Sequence, residues 1–262
     1  MGQSRIAAQL FTLREFLKTP ADIAASLKKV RQMGYEAVQV SALGPIDKKE
    51  LRQILDGEGL TCAATHTGFP QMRDEMNKTI EEHQILGCSH IAPGAMPGEY
   101  QKDADGYIKF AKEASEVAAR LKEKGGLTWS YHNHSFELVK MDGQKSGMDL
   151  LLEHADPRLF NFEIDTYWIT HGGGSPAGWI RKVKGRIPLV HFKDMVVQRP
   201  PEQKVEQVMA EVGEGNLDWP DILAACKEAG VEWYFVEQDR CQRDPFESLA
   251  ISLKNMKSWG LE

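Results

Sequence analysis

Apolar residues recur along this chain in two alternating rhythms: a short continuous run, then apolar positions three and four residues apart. Ile6 to Phe11 is the first run. Thr19-Pro20-Ala21-Asp22 follows as a capping box with proline at the first helical position, and Ile23, Leu27 and Val30 share one helical face up to Gly34. Ala37–Val40 reads as a strand, and Asp47 and Glu50 cap a helix carrying Leu51, Ile54 and Leu55 that ends at Gly57 and Gly59. Thr61–Thr65 is the next strand and delivers His66. Met76, Ile80 and His83 line a helix stopped by Gly87, and Ser89–Ala92 is a strand broken by Pro93-Gly94. Tyr107, Phe110, Ala114, Val117 and Leu121 form a long stripe ending at Gly125. A buried strand begins at Leu127, and Met148, Leu151 and Leu152 mark the helix after it. Strands at Phe160–Ile164, Ile187–Phe192 and Trp233–Val236 alternate with helices opened by Ser175-Pro176, Asp218 and Asp244-Pro245.

This is eight strand-then-helix units with no break in composition. Eight such units close into a single (β/α)₈ barrel, an α/β fold expected to occupy residues 1–262 as one domain. A doubly wound sheet would more naturally carry a glycine-rich phosphate turn, and neither G-x-G-x-x-G nor a P-loop is present. Gly172-Gly173-Gly174 reads as a mobile loop, and the charged stretch Met195–Asn216 as a long loop at the barrel mouth.

With 42% hydrophobic and 27% charged residues the chain is an ordinary soluble globule. Its net charge of -6 argues against nucleic acid as a partner, and no apolar run reaches membrane-spanning length. Met1-Gly2-Gln3-Ser4-Arg5-Ile6 carries neither a secretory pattern nor a myristoylation motif. The scattered Cys62, Cys88, Cys226 and Cys241 form no C-x-x-C pair, so they read as reduced thiols of a cytoplasmic protein.

The chemistry gathers at the ends of the late strands. Tyr131-His132-Asn133-His134-Ser135-Phe136-Glu137 crowds two imidazoles, an amide and a carboxylate onto one strand end, and such groups are costly to bury without partners. Glu163-Ile164-Asp165-Thr166, Val190-His191-Phe192-Lys193-Asp194 and Val236-Glu237-Gln238-Asp239 repeat the pattern. In such a barrel the strand C-termini meet at one face, so Glu137, Asp165, His191 and Glu237 are expected to converge there. One imidazole and three carboxylates suit a divalent cation such as Mn²⁺, Mg²⁺, Co²⁺ or Zn²⁺. Each residue also has a plain structural reading: Glu137 at the surface, Asp165 as a turn cap, His191 as a core histidine, Glu237 paired with Arg240 or Lys193.

Tyr131-His132-Asn133-His134 with Glu137, Ile164-Asp165-Thr166-Tyr167-Trp168, His191-Phe192-Lys193-Asp194, Gly213-Glu214-Gly215-Asn216-Leu217-Asp218-Trp219 and Val236-Glu237 resemble the sugar phosphate isomerase/epimerase family of xylose isomerase-like barrels. The resemblance spans nearly the whole chain, with the motifs in the family's order. It implies one divalent metal, Mn²⁺ first among the candidates, held by Glu137, Asp165, His191 and Glu237. It also implies that Glu137 and Glu237 act as acid and base through an enediolate of a keto-sugar, with His66, His134, Trp168 and Lys193 contacting substrate. One departure matters. Ketose epimerases often carry histidine three residues after the metal-binding aspartate, where this chain has Trp168, which leaves room for a larger glycoside. The expected activity is therefore isomerisation or epimerisation of a small carbohydrate. The alternative is a lyase or dehydratase acting on a keto-sugar, 3-keto-glycoside or inosose. A non-catalytic sugar-binding barrel is a further alternative, opposed by the intact ligand set, and a homo-oligomer is compatible with the sequence.

Overall fold

The computed structural model describes residues 5–201 and 204–262. Met1-Gly2-Gln3-Ser4, read above for targeting signals, lies outside the described residues, as do positions 202 and 203 of the segment read as a mouth loop. Eight parallel strands close into a barrel: β1 (Arg5–Gln9), β2 (Ala37–Val40), β3 (Thr61–His66), β4 (His90–Ala92), β5 (Thr128–His132), β6 (Asn161–Asp165), β7 (Leu189–Phe192) and β8 (Trp233–Val236). Each strand pairs with its sequence neighbours, and β8 closes onto β1 through Arg5↔Trp233 to Ala8↔Val236. The expected (β/α)₈ architecture is therefore present.

The predicted helix punctuation holds in atomic detail. Thr19 and Asp22 make the reciprocal capping box, Asp47 and Asp218 cap their helices, and Gly59, Gly87 and Gly230 end helices in the left-handed conformation, whereas Gly57 and Gly125 lie within their helices, the second of which ends at Gly126. Between strands and helices lies the main core, with Phe110, Trp129, Tyr131, Phe160, Phe162 and Phe192 fully buried. Inside the barrel the filling changes from small apolar side chains (Ala7, Ala37, Ala64) with Leu189 and Phe235 to polar ones toward the C-terminal end of the strands.

Two segments depart from the expected pattern. The first strand stops at Gln9, because Leu10–Phe16 turns into a 3₁₀ helix after the Gln9 side chain accepts the Phe11 N–H. The Met195–Asn216 stretch is not a plain loop: Asp194–Gln198 and Glu206–Ala210 form an antiparallel hairpin. Its base is tied by Asp194, whose buried carboxylate accepts from the N–H groups of Met195, Gly213, Gly215 and Leu217 and from Trp219 Nε1. Asp194 is thus occupied with this turn and does not pair with Lys193. Gly215 packs so closely on it that a Cβ would collide with Asp194 Oδ1 and the Met195 carbonyl. Asp194→Ala would strand several buried donors at once and is expected to cost more than about 3 kcal/mol, read from urea-denaturation midpoints. A loss under about 1 kcal/mol would mean that water replaces the carboxylate. The four cysteines are free, three of them buried, and among the described residues no helix is long and apolar enough to cross a membrane.

Candidate metal centre

Side chains in a strand alternate between faces, so inward positions recur every second residue. Ser130 and His132 on β5, Glu163 and Asp165 on β6, and Leu189 and His191 on β7 follow this rule, and the register places Asp165 opposite His191. Glu237 directly follows β8. One ligand atom from each of His132, Asp165, His191 and Glu237 lies within 4.8 Å of all the others, and all four residues are buried.

Three of the four residues expected as ligands therefore lie together, and the fourth member of this cluster is His132; Glu137 lies outside it. Glu137 sits past the strand on a short 3₁₀ turn, fully buried, where its carboxylate accepts from Tyr131 Oη (2.6 Å) and the His134 N–H (2.9 Å). The physical reason is length of chain. The strand ends at His132, and five further residues carry Glu137 back onto the strand's outer side, beside the phenol of Tyr131.

The donor set of the cup fits a cation. His132 Nδ1 lies 3.2 Å from the Gly94 carbonyl, which can only accept, so Nδ1 carries the proton and Nε2 presents a lone pair. That lone pair has no hydrogen-bond partner and faces Asp165 Oδ2 at 3.5 Å, an oxygen that is itself ion-paired with the Lys193 ammonium at 3.0 Å. Burial, helped by nearby His191, keeps the His132 pKa below its ordinary value, so the ring is neutral. Burial opposes charge on His191, but Glu163 and then Glu237 overcome it and hold the ring's pKa near 10. His191 Nδ1 lies 2.8 Å from Glu237 Oε2, so a proton stands there between an imidazole and a carboxylate. An unpartnered imidazole lone pair, a carboxylate oxygen held by the Lys193 ammonium and this imidazole–carboxylate pair suit a divalent ion with mixed nitrogen and oxygen ligands. Asp165 also serves as a turn cap: its Oδ1 accepts the Trp168 N–H at 2.8 Å while Oδ2 is left for the cup.

Lys193 is buried beside the cup, its ammonium 3.0 Å from Asp165 Oδ2, 2.8 Å from Glu237 Oε2 and 2.9 Å from Asp239 Oδ1. Desolvation works against its charge, yet these three carboxylates raise its pKa above the ordinary lysine value. Burial and the neighbouring Glu237 lift Asp239 to about 6. His134 and Trp168 form an aromatic wall, ring centroids 5.3 Å apart, with His134 Nδ1 and Trp168 Nε1 unpartnered. His66 stacks on His191 at 5.3 Å, but its Nε2 is engaged by Glu163 Oε2 at 2.9 Å. The sequence places His132, Glu163 and Asp239 in the strand-end motifs without giving them a role, and Gln39 only within a strand. The period-two alternation of β5 and β6 was the signal that could have found His132 and Glu163.

Burial raises Glu137 to about 7 from an ordinary 4.5, against the opposing bonds from Tyr131 and His134. Folding therefore favours its neutral form. That contribution is complete below about 4.5 and is lost as pH rises through about 7. Relative to Glu137→Gln, the wild-type protein should lose up to about 3 kcal/mol of unfolding free energy between pH 5 and pH 8. Parallel pH profiles of the two proteins in urea would contradict this.

The family model of the xylose isomerase-like TIM barrel matches residues 27–259. An inosose dehydratase from Lacticaseibacillus casei is 25% identical over 254 residues, covering 82% of this chain and 82% of that protein. Another, from Clostridium perfringens, is 22% identical over 259 residues, covering 86% and 85%. Among solved structures, a sugar phosphate isomerase/epimerase from Parabacteroides distasonis superposes with a TM-score of 0.81 at 21% identity, over 98% of this chain and 95% of that one. The barrel, its strand-end cup and these matches place the chain in the xylose isomerase-like TIM barrel family.

Proposed function

We propose that the protein is a divalent-metal-dependent lyase acting on a cyclic keto-sugar or related polyhydroxy ketone. In this reading it removes the proton next to the carbonyl and expels an oxygen leaving group from the adjacent carbon. The observation that carries the choice of lyase is the disposition of the carboxylates. Epimerisation by two facing glutamates needs Glu137 and Glu237 on opposite sides of one substrate, and Glu137 is locked onto Tyr131 and the His134 N–H. Of the two carboxylates in the cup, Asp165 is fully enclosed and Glu237 keeps 5% of its surface exposed.

A syn elimination needs only one such group. Glu237 takes the α-proton as the C–H bond breaks, and its carboxyl returns that proton to the departing oxygen as the C–O bond breaks. A divalent ion held by His132, Asp165, His191 and Glu237 would polarise the carbonyl and stabilise the developing enolate as a Lewis acid. The Lys193 ammonium adds fixed positive charge beside Glu237. The wall of Trp168 and His134 offers an apolar face to a sugar ring. The dehydratase names of the relatives that match most of the chain support this reading.

The second reading is epimerisation, favoured by the structural likeness to a sugar phosphate isomerase/epimerase. Product analysis in D₂O on a panel of inososes, free ketoses and 3-keto-glycosides separates the two. With Mn²⁺ present, the lyase reading expects an unsaturated product with release of water or aglycone. Recovery of a deuterated epimer without elimination would replace it with the epimerase reading. The absence of both products across the panel would reject both.

A further inference from the structure

Beneath the cup a second set of buried polar side chains occupies the barrel axis: Gln9, Gln39 and Glu163, with His66 at their edge. His66, Glu163 and His191 also come close enough to hold an ion, but this group differs from the cup in one respect. Its polar atoms are engaged. Gln9 Nε2 donates to Gln39 Oε1 at 2.7 Å, and Gln39 Nε2 donates to Glu163 Oε1 at 2.8 Å. His66 Nε2 lies 2.9 Å from Glu163 Oε2, and His191 Nε2 lies 2.7 Å from Gln39 Oε1. In the cup, by contrast, His132 Nε2 has no hydrogen-bond partner. The lower group is therefore a hydrogen-bond network and not a second ion site.

The direction of every bond in that network follows from one charge. A carboxylate only accepts, so Glu163 obliges Gln39 to present its amide nitrogen and His66 to present an N–H. Gln39 Oε1 must then face His191, and a carbonyl oxygen in that place requires His191 Nε2 to be a donor. The nitrogen left to turn into the cup is Nδ1, 2.8 Å from Glu237 Oε2 and 3.9 Å from Asp165 Oδ2. A metal-binding imidazole is commonly held in this way, by an acceptor on its far nitrogen.

We propose that Glu163 is a positioning residue: its charge, acting on His191 Nε2 directly at 3.3 Å and through the Gln39 amide, keeps the proton on Nε2, so that Nδ1 is the nitrogen that gives up its proton to a metal. The inference rests on the proposed metal reading and adds a residue two positions from the nearest ligand, whose side chain meets His191 at 3.3 Å and the Gln39 amide at 2.8 Å. If Glu163 becomes an amide, Gln39 is free to turn over. His191 Nε2 then meets an N–H, and the proton moves to the nitrogen that should bind the ion.

The test is calorimetric titration of metal-free protein with Mn²⁺, with circular dichroism and thermal melts of the same samples. Glu163→Gln is expected to weaken Mn²⁺ binding by about 10–100-fold with the barrel still folded. The decisive variant is the swap Gln39→Glu with Glu163→Gln. It returns an acceptor to His191 Nε2 and keeps one charge in the network, so it should restore affinity to near the wild-type value. A folded Glu163→Gln protein that binds Mn²⁺ as tightly as wild type, or a swap no tighter than the single variant, would overturn the inference. Should Glu163→Gln fail to fold, the swap decides alone: wild-type-like affinity supports the relay, and a loss of about tenfold or more rejects it. Absence of binding by wild-type protein would reject the metal reading and this inference together. Equal binding by wild type and Glu163→Gln rejects only this one.

Discussion

Glu237→Gln is expected to lower kcat by about 10²–10⁴-fold while changing substrate binding far less, because a general base acts in the transition state. The amide keeps the size of the side chain, so the barrel should tolerate it. What is lost is a basic oxygen standing 2.8 Å from both His191 Nδ1 and Lys193 Nζ. The negative charge that pairs with those two groups goes with it. Burial works against ionisation of Glu237, yet Lys193 and then His191 hold its pKa well below the ordinary carboxylate value, so it is a carboxylate throughout the neutral range. The variant is to be assayed at saturating metal, with metal content measured, so that a missing base is told apart from a missing ion. Exchange of the substrate α-proton with solvent is the direct readout. A Glu237→Gln enzyme that is fully metal-loaded and still exchanges that proton at near the wild-type rate would rule Glu237 out as the base.

The second large effect separates the two candidates for the fourth ligand. His132→Ala should weaken Mn²⁺ binding by more than about 100-fold, beyond the 10–100-fold typical of supporting residues. Glu137→Gln should leave metal affinity near the wild-type value. The contrast follows from geometry. His132 Nε2 is an unpartnered lone pair facing Asp165, whereas both carboxylate oxygens of Glu137 are already bonded to Tyr131 and His134. Titrations in which Glu137→Gln loses the metal and His132→Ala keeps it would return the ligand role to Glu137.

The barrel was legible because its signals are local. Caps such as Thr19-Pro20-Ala21-Asp22 and left-handed glycines such as Gly59 and Gly230 act within a few residues, and each appears in the structure as its sequence implied. Asp165, His191 and Glu237 were legible for a similar reason, since each sits at a strand's C-terminal end, where such a barrel gathers its chemistry. Glu137 is the acidic residue of the same motif, and the sequence offers it as the companion of two other carboxylates. Its distance from the cup follows from the point at which β5 stops, and strand ends are hard to place from one sequence. The alternation Ser130–His132 carried the better answer, since it puts His132 on the inward face beside Glu163. Asp239 was legible only as part of a strand-end motif, and Gln39 not at all. Gln39 matters only because β2 sits across the barrel from β6, 124 residues away in sequence from Glu163. The hairpin after Asp194 was hidden too, because its anchor is one carboxylate gathering N–H groups from a distant turn.

His132, Asp165, His191 and Glu237 are proposed to form a cup for a single divalent ion. Crystals grown with Mn²⁺ and measured at the manganese absorption edge test it most directly. The expected result is one strong anomalous peak inside the barrel mouth, in contact with His132 Nε2, Asp165 Oδ2, His191 Nδ1 and a Glu237 oxygen, with Glu137 still bonded to Tyr131. A peak ligated by Glu137 in place of His132, or a fully formed cup with no peak at saturating Mn²⁺, would contradict it.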